Sequence, residues 1–166
     1  QRGRQGYAWV SPDFVTWLPA IAEAFSLPEP STAEDRGLLK PYDQVHLGVG
    51  GASRGNVVVG LYGLWHNAPP KQPGRNVPDN WFGYETTSCD LGLVVSNDGL
   101  HFREPVKGHV FISRGESPVT AKNGKSYPTI LIQSNGILNV GDETRIYHGR
   151  WRNAEIDGYW GEVALA

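Results

Sequence analysis

Sulfur-containing residues are nearly missing from the sequence, which has one cysteine, Cys89, and no methionine among its 166 residues. A single cysteine excludes an internal disulfide and any zinc site built from several cysteines. Because a natural chain normally begins with methionine, its absence predicts a processed chain or a part of a longer protein. The cysteine count does not fix the compartment, and a secreted or periplasmic location is favoured over a cytoplasmic one.

Long apolar runs and basic blocks are missing as well. No stretch approaches the roughly 18 to 20 apolar residues that cross a membrane, and the first residues lack the apolar core of a signal peptide. Fifteen Lys and Arg residues against 17 Asp and Glu residues give a formal net charge of −2. Neither a membrane nor a nucleic acid is therefore expected as a partner.

Glycine, proline and aromatic residues are abundant instead, with 21 Gly, 12 Pro, 6 Trp and 7 Tyr. Glycine and proline introduce turns into the backbone, whereas aromatic rings supply the packing material of a folded core. The composition indicates a folded, turn-rich protein and excludes a disordered chain.

An internal repeat of the pattern Ser-x-Asp-x-x-x-aromatic occurs at 11–17 and at 96–102. Each copy follows a short apolar run and precedes a proline. In such a segment the Ser and Asp side chains bind backbone N–H groups of a tight turn, and the aromatic residue anchors the returning strand. The repeat predicts two hairpins of the same design, in which Asp13 and Asp98 are structural rather than catalytic.

Short apolar segments predict about nine strands, which include 46–51, 57–65, 127–134, 144–149 and 159–166. The stretch 53–56 is suited to the reverse turn that joins the first two of these. Another turn is predicted at 140–143. A helix is conceivable only at 19–26, and it would have two turns at most.

Four-stranded units that recur along a chain, with a turn motif between their third and fourth strands, are typical of a β-propeller. The predicted fold is all-β, with about half of a propeller present. Residues 43–106 form a complete blade, 1–30 end the preceding blade, and 127–166 give the first three strands of the next. A β-sandwich is the alternative. Since such a piece exposes two blade edges, we expect another chain or a further segment to complete the ring.

The geometry of a blade sorts the acidic residues by face. The start of the first strand and the turn between the second and third strands lie at one end of the blade. Asp43 and Glu116 are the candidate catalytic carboxylates at that end, because glycoside hydrolysis needs one protonated and one ionised carboxyl group. Asp90 starts a third strand, further from the axis, and ranks below them, while Asp142 belongs to a tight turn at the far end.

The same face is predicted to bind a sugar. The long connection 66–85 carries Trp81 and Tyr84, whose rings either stack on a sugar or cover the blade edge. Further candidate substrate-binding residues are His46, His66, Arg114, Tyr127 and His148. The five histidines do not fall at the spacing of metal ligands. No metal and no other cofactor is assigned, although a structural ion at a propeller axis is compatible with the fold.

The sequences Ser-Asn-Asp-Gly-Leu-His-Phe at 96–102 and Gly-Asp-Glu-Thr-Arg-Ile-Tyr-His-Gly at 141–149 resemble blade motifs of the five-bladed β-propeller glycoside hydrolases. This superfamily contains families 32, 43, 62, 68 and 117, and the chain is most similar to its bacterial members. The resemblance implies a glycosidase that acts on plant or algal poly- or oligosaccharides with three acidic residues near the axis. It implies Asp43 as the residue that orients the sugar and Glu116 as the general acid, with the base or nucleophile outside this chain.

Two other functions stay open at this point. A non-catalytic carbohydrate-binding propeller would keep the aromatic platform but lack a working carboxylate pair. A sialidase-like enzyme is suggested because the repeated turn resembles the Asp-box of sialidases. Such enzymes need an arginine cluster around a sugar carboxylate, for which Arg114 and Arg150 are the candidates.

Overall fold

The computed structural model describes residues 5–27, 42–68, 88–115, 129–152 and 160–166, which form nine β-strands and no helix. The strands are β1 (Gln5–Val10), β2 (Leu18–Ser26), β3 (Tyr42–Ser53), β4 (Val58–Ala68), β5 (Ser88–Ser96), β6 (Val110–Ile112), β7 (Ile130–Val140), β8 (Glu143–Arg152) and β9 (Trp160–Leu165). The all-β prediction is confirmed. None of the described segments is a helix that is long and apolar enough to cross a membrane.

The segment 19–26, whose composition allowed a short helix, belongs to strand β2. It pairs antiparallel with β1, from Gln5↔Ser26 to Val10↔Leu18. Ala24 and Phe25 of this segment are buried, so tertiary packing overrides a weak local preference for helix.

The described strands form a two-stranded ribbon, β1–β2, and one seven-stranded sheet. In the sheet β3, β4, β5 and β6 follow one another as antiparallel neighbours. Strands β7, β8 and β9 form an antiparallel meander. The two groups meet through one parallel pair, Cys89↔Ile130. The path from β3 to β9 is open, because these two strands lie at its opposite ends.

Two clusters of buried apolar side chains hold the described strands together. The first joins β4 and β5 to β6, β7 and β8 and consists of Leu61, Leu91, Ile112, Leu131, Ile137 and Ile146. The second joins the ribbon to the sheet and consists of Phe25, Val45, Tyr62, Leu64 and Val94. The rings of Phe25 and Tyr62 pack edge to face, with centroids 4.8 Å apart, so that one aromatic side chain anchors the ribbon.

The contact between β4 and β5 requires a glycine at position 92. Tyr62 and Gly92 are partners across the two strands, and a Cβ atom at residue 92 would lie 2.3 Å from Cε1 of Tyr62. The Tyr62 ring is fully buried, and its hydroxyl donates a hydrogen bond to Glu104. The ring therefore occupies the space that any larger residue at position 92 would need.

In both repeated turns the aspartate binds backbone N–H groups as predicted, whereas of the two serines Ser96 accepts backbone N–H groups and Ser11 donates to Asp13. Asp13 Oδ1 accepts from the backbone N–H groups of Val15 at 2.9 Å and Thr16 at 2.7 Å. These bonds lower the pKa of Asp13 to about 2. Asp98 Oδ1 likewise accepts two backbone N–H groups, those of Leu100 and His101, at 2.8 Å each.

The two turns differ at the residue that follows the aspartate. Phe14 has a φ of 60°, and its counterpart Gly99 has a φ of 72°. Both values lie in the left-handed region, which glycine adopts readily and phenylalanine does not. The first turn therefore carries local backbone strain that the second does not.

Candidate functional site

Four charged side chains meet at the end of the sheet where β3 and β5 begin and β4 ends. We call Asp43, His66, Asp90 and Arg114 the Asp43–Arg114 cluster. Asp43 lies at the start of β3, Asp90 near the start of β5 and His66 near the end of β4. Because these strands are antiparallel neighbours, their ends coincide, and Arg114 reaches the same place just after β6.

His66 connects the two carboxylates of the cluster. Its Nδ1 donates to Oδ1 of Asp43 over 3.1 Å, and its Nε2 donates to Oδ2 of Asp90 over 2.7 Å. Arg114 binds Asp90 twice, through its backbone N–H at 2.7 Å from Oδ1 and through its guanidinium to Oδ2. Asp90 is thus the centre of the network.

The two carboxylates differ in their environment. The side chain of Asp90 is 3% exposed, whereas that of Asp43 is 53% exposed. Burial alone would raise the pKa of Asp90, but the hydrogen bonds from His66 and Arg114 bring that pKa below its ordinary value. A buried carboxylate is tolerated here because both of its oxygens accept hydrogen bonds, Oδ2 from His66 and the Arg114 guanidinium and Oδ1 from the Arg114 backbone N–H.

The carboxylates around His66 favour the charged form of its imidazole. Its hydrogen bond to Asp90 raises the pKa of His66, burial opposes this rise, and the charge of Asp43 adds to it. With His66 protonated, two cations balance two carboxylates in the cluster. Both ring nitrogens are occupied, so His66 orients Asp43 instead of taking a proton from a substrate.

The exposed end of the cluster is the carboxylate of Asp43. This group can accept a hydrogen bond from a substrate hydroxyl, or act on a reacting carbon or a water, while His66 fixes its position. No group of three or more described His, Cys, Asp or Glu residues is arranged to hold a metal ion.

The structure brings together three residues that the sequence predicted for the site, Asp43, His66 and Arg114. It also adds Asp90, which the sequence ranked below Asp43. A signal for Asp90 was present, because an aspartate at the start of a strongly apolar strand is buried and needs a cationic partner. His66 and Arg114 were predicted at the same end of the sheet and are the available cations.

His46 and His148, also predicted as substrate-binding residues, are both buried in the sheet. The His46 ring packs edge to face on Trp65, with centroids 4.8 Å apart. Nδ1 of His148 lies 3.5 Å from the carbonyl oxygen of Ile146, and burial lowers the pKa of His148. Their positions indicate a role in packing.

The remaining predicted site residues are Glu116, Trp81, Tyr84 and Tyr127, and they lie outside the described residues. Their roles stay predictions. Comparisons of the chain with protein-family models, curated proteins and solved structures found no match. The functional assignment rests on the cluster itself.

Proposed function

We propose that this chain is part of a β-propeller glycoside hydrolase of the five-bladed type, in which Asp43 faces the sugar. The observation that supports the proposal is the exposed Asp43 carboxylate, which His66 positions and buried Asp90 anchors. Glycosidases act through carboxyl groups whose ionisation and position are set by their neighbours. The cluster fixes the position of the Asp43 carboxylate at one end of the sheet through His66 and Asp90.

The strand order supports the propeller part of the proposal. Within the one seven-stranded sheet, β3, β4 and β5 are antiparallel neighbours with β6 paired to β5, and β7 to β9 form a second antiparallel run. We assign these two groups of strands to adjacent blades. A side chain of β7 binds the backbone of β3, so that the first strands of the two groups are in contact. Gln133 Nε2 donates to the carbonyl oxygens of His46 and Gly48, each at 2.8 Å. Adjacent blades that surround an axis bring their first strands together in this way.

In the proposed reaction Asp43 accepts a hydrogen bond from a hydroxyl of the bound sugar and fixes the sugar in the site. Glu116 donates its proton to the oxygen of the scissile bond, so that the leaving sugar departs as an alcohol. Water supplies the oxygen that bonds to the anomeric carbon: either it attacks directly while a further carboxylate takes its proton, or it hydrolyses a bond first formed between that carboxylate and the anomeric carbon. The substrate class is a neutral plant or algal poly- or oligosaccharide.

The arginines favour a neutral sugar over an acidic one. Arg114 is bound to Asp90, and Arg150 forms an ion pair with Glu162. A sialidase needs free guanidinium groups to bind the carboxylate of its substrate. Because carboxylates of the chain itself already neutralise both arginines, the sialidase alternative has little support.

The replacement Asp43→Asn tests the proposal. The amide keeps the size of the side chain but removes its charge, so we expect turnover of neutral oligosaccharides to fall about 100-fold or more. Asp142→Asn is the matched control, since Asp142 is an exposed carboxylate in the β7–β8 turn, and its turnover should stay within about twofold of the wild type. Release of reducing sugar and the Kd of the oligosaccharide are measured for each variant.

Unchanged turnover in Asp43→Asn would contradict the proposal. If the unmodified chain binds oligosaccharides without releasing reducing sugar, the non-catalytic carbohydrate-binding alternative is correct. Equal losses in both aspartate variants would assign the effect to net charge instead of to the site.

A further inference from the structure

A cavity of about 250 Å³ lies between the β1–β2 ribbon and the sheet. We call it the ribbon cavity. The described residues that line it include the aromatic residues Tyr7, Trp9, Phe25 and Phe102 and four glycines, among them Gly48 and Gly99. Gly99 follows β5, whereas Asp90 is near the start of that strand. The cavity and the Asp43–Arg114 cluster are therefore at opposite ends of β5, roughly 20 Å apart at the rise of a β-strand.

The aromatic rings of the ribbon cavity fall into two groups. Phe25 is buried and forms part of its base, whereas Tyr7 and Trp9 are 58% and 59% exposed. Large exposed rings that are grouped around a hollow mark a binding surface more often than isolated exposed side chains do. Tyr7 and Trp9 present flat apolar faces on which another ring can stack.

The apolar wall is bordered by polar groups of the same ribbon. The hydroxyl of Tyr7 donates to Oε1 of Gln5 at 3.2 Å, and Nε2 of Gln5 donates to Glu23. A hydroxyl, an amide and a carboxylate thus follow one another beside the Tyr7 ring. A purely apolar ligand would leave this network unused, whereas a ligand with hydroxyl groups can join it.

At two of these glycines, Gly48 and Gly99, the backbone is open to a ligand. A Cβ atom at Gly48 or Gly99 would have no heavy atom within 4 Å, so these positions are not filled by neighbouring side chains. Peptide groups there are accessible to a ligand that rests on the aromatic rings. The volume is below the roughly 300 to 1,000 Å³ of sites for drug-sized ligands, which suits a single small ring.

We infer that the ribbon cavity binds one neutral sugar ring of a glycan, which stacks on Trp9 and Tyr7. The ring hydroxyls would exchange hydrogen bonds with the Tyr7–Gln5–Glu23 network and with the open backbone. A neutral ligand is indicated because the described residues that line the cavity carry no charge and Glu23 repels an anion. The inference does not depend on a catalytic role for Asp43, since the two places lie at opposite ends of β5.

The full chain with Asp43→Asn, in which turnover is suppressed, is titrated with xylohexaose, cellohexaose and arabinohexaose, and with hexagalacturonate as the anionic comparison. We expect at least one neutral oligosaccharide to bind and to shift the Trp9 indole N–H signal in NMR spectra. Trp9→Ala should weaken that binding about tenfold or more. Trp17→Ala is the matched control, because Trp17 is a 49% exposed tryptophan of the same hairpin that does not line the cavity.

Three results would overturn the inference: no neutral oligosaccharide binds, Trp9→Ala and Trp17→Ala weaken binding equally, or hexagalacturonate binds more tightly than the neutral compounds. Trp9 is an exposed side chain, so the variant should fold, and unchanged thermal unfolding verifies this. Hydrolysis that is lost in Asp43→Asn while Trp9-dependent binding persists separates this site from the proposed catalytic one. Failure of either proposal is thus recognised independently.

Discussion

At the scale of single residues, the repeated turn offers a comparison within one chain. Phe14 and Gly99 occupy the same position, and both have a positive φ. A left-handed conformation costs a residue with a Cβ atom about 1 to 2 kcal/mol. Phe14 is 83% exposed, and its ring meets Trp17 edge to face at 6.1 Å. Packing therefore offsets little of this strain.

We expect Phe14→Gly to raise the free energy of unfolding by roughly 0.5 to 1 kcal/mol, because relief of strain exceeds the added entropy of the unfolded chain. Gly99→Ala should lower it by about 1 kcal/mol for the same reason in reverse. Urea denaturation of both variants measures the two changes. A loss of stability in Phe14→Gly would mean that the contact between Phe14 and Trp17 outweighs the backbone strain.

The residues that the sequence predicted best are those with short-range partners. Asp13 and Asp98 bind N–H groups two and three residues away, so the pattern of the turn was sufficient to assign them. Asp90 binds residues 24 positions away on either side. Its importance depends on which strand ends coincide, and the local sequence around Asp90 does not contain that information.

At the scale of strands, the apolar segments predicted the centre of each element better than its ends. Segment 46–51 lies within β3, and segment 57–65 lies within β4 except for Val57, but β3 begins at Tyr42 and β4 continues to Ala68. Both extensions belong to the ladder, through the pair Tyr42↔Ala68. Pairing with a neighbour continues a strand beyond its apolar run, because the backbone hydrogen bonds do not depend on the side chains.

Close packing of β4 on β5 gives a prediction at the same scale. We expect Gly92→Ala to lower the free energy of unfolding by about 1 to 3 kcal/mol, because the new methyl group would overlap the Tyr62 ring. That ring is enclosed by Phe25 and its hydroxyl is bound to Glu104, so it has little room to move. Urea denaturation measures the loss.

Gly161→Ala is the matched control for this strand prediction. Gly161 lies in β9, and a Cβ atom there would be 3.4 Å from Cβ of Trp151, an ordinary contact. The free energy of unfolding of Gly161→Ala should stay within about 0.5 kcal/mol of that of the wild type. Equal losses in the two variants would show that Gly92 matters for its backbone and not for the space that Tyr62 occupies.

At the scale of the whole molecule, the sequence predicted the antiparallel pairs β3–β4 and β7–β8, because a short turn joins the two strands of each pair. It did not predict the parallel contact Cys89↔Ile130 or the hydrogen bonds from Gln133 to β3. These contacts join residues that are far apart in the sequence. They depend on how the two groups of strands in the sheet meet. The proposed propeller likewise depends on contacts between groups of strands.

Two histidines should determine how the stability of the whole chain depends on pH. Hydrogen bonding to Asp90 raises the pKa of His66 above its ordinary value of about 6.5. The folded chain therefore holds this proton more tightly than the unfolded chain. The contribution of His66 is complete below about pH 6.5 and is lost as the pH rises through the pKa of the folded state.

Burial lowers the pKa of His148 instead, so its contribution has the opposite sign. It is complete above about pH 6.5 and is lost as the pH falls through the pKa of the folded state. Both contributions are complete together only near pH 6.5, where we expect maximal stability from these two groups. Each slope is limited to about 1.4 kcal/mol per pH unit, since one proton is involved.

Urea denaturation of the wild type, His66→Gln and His148→Gln between about pH 5 and 8 checks this expectation. His66→Gln should flatten the alkaline side of the profile. Its acidic side should change as well, because the replacement removes a hydrogen bond that lowers the pKa of Asp90. His148→Gln should flatten the acidic side down to the range where Asp90 begins to protonate, because that carboxyl also stabilises the fold only while ionised. If His66→Gln leaves the alkaline slope intact, the charged imidazole between Asp43 and Asp90 is not the group that stabilises the folded chain there.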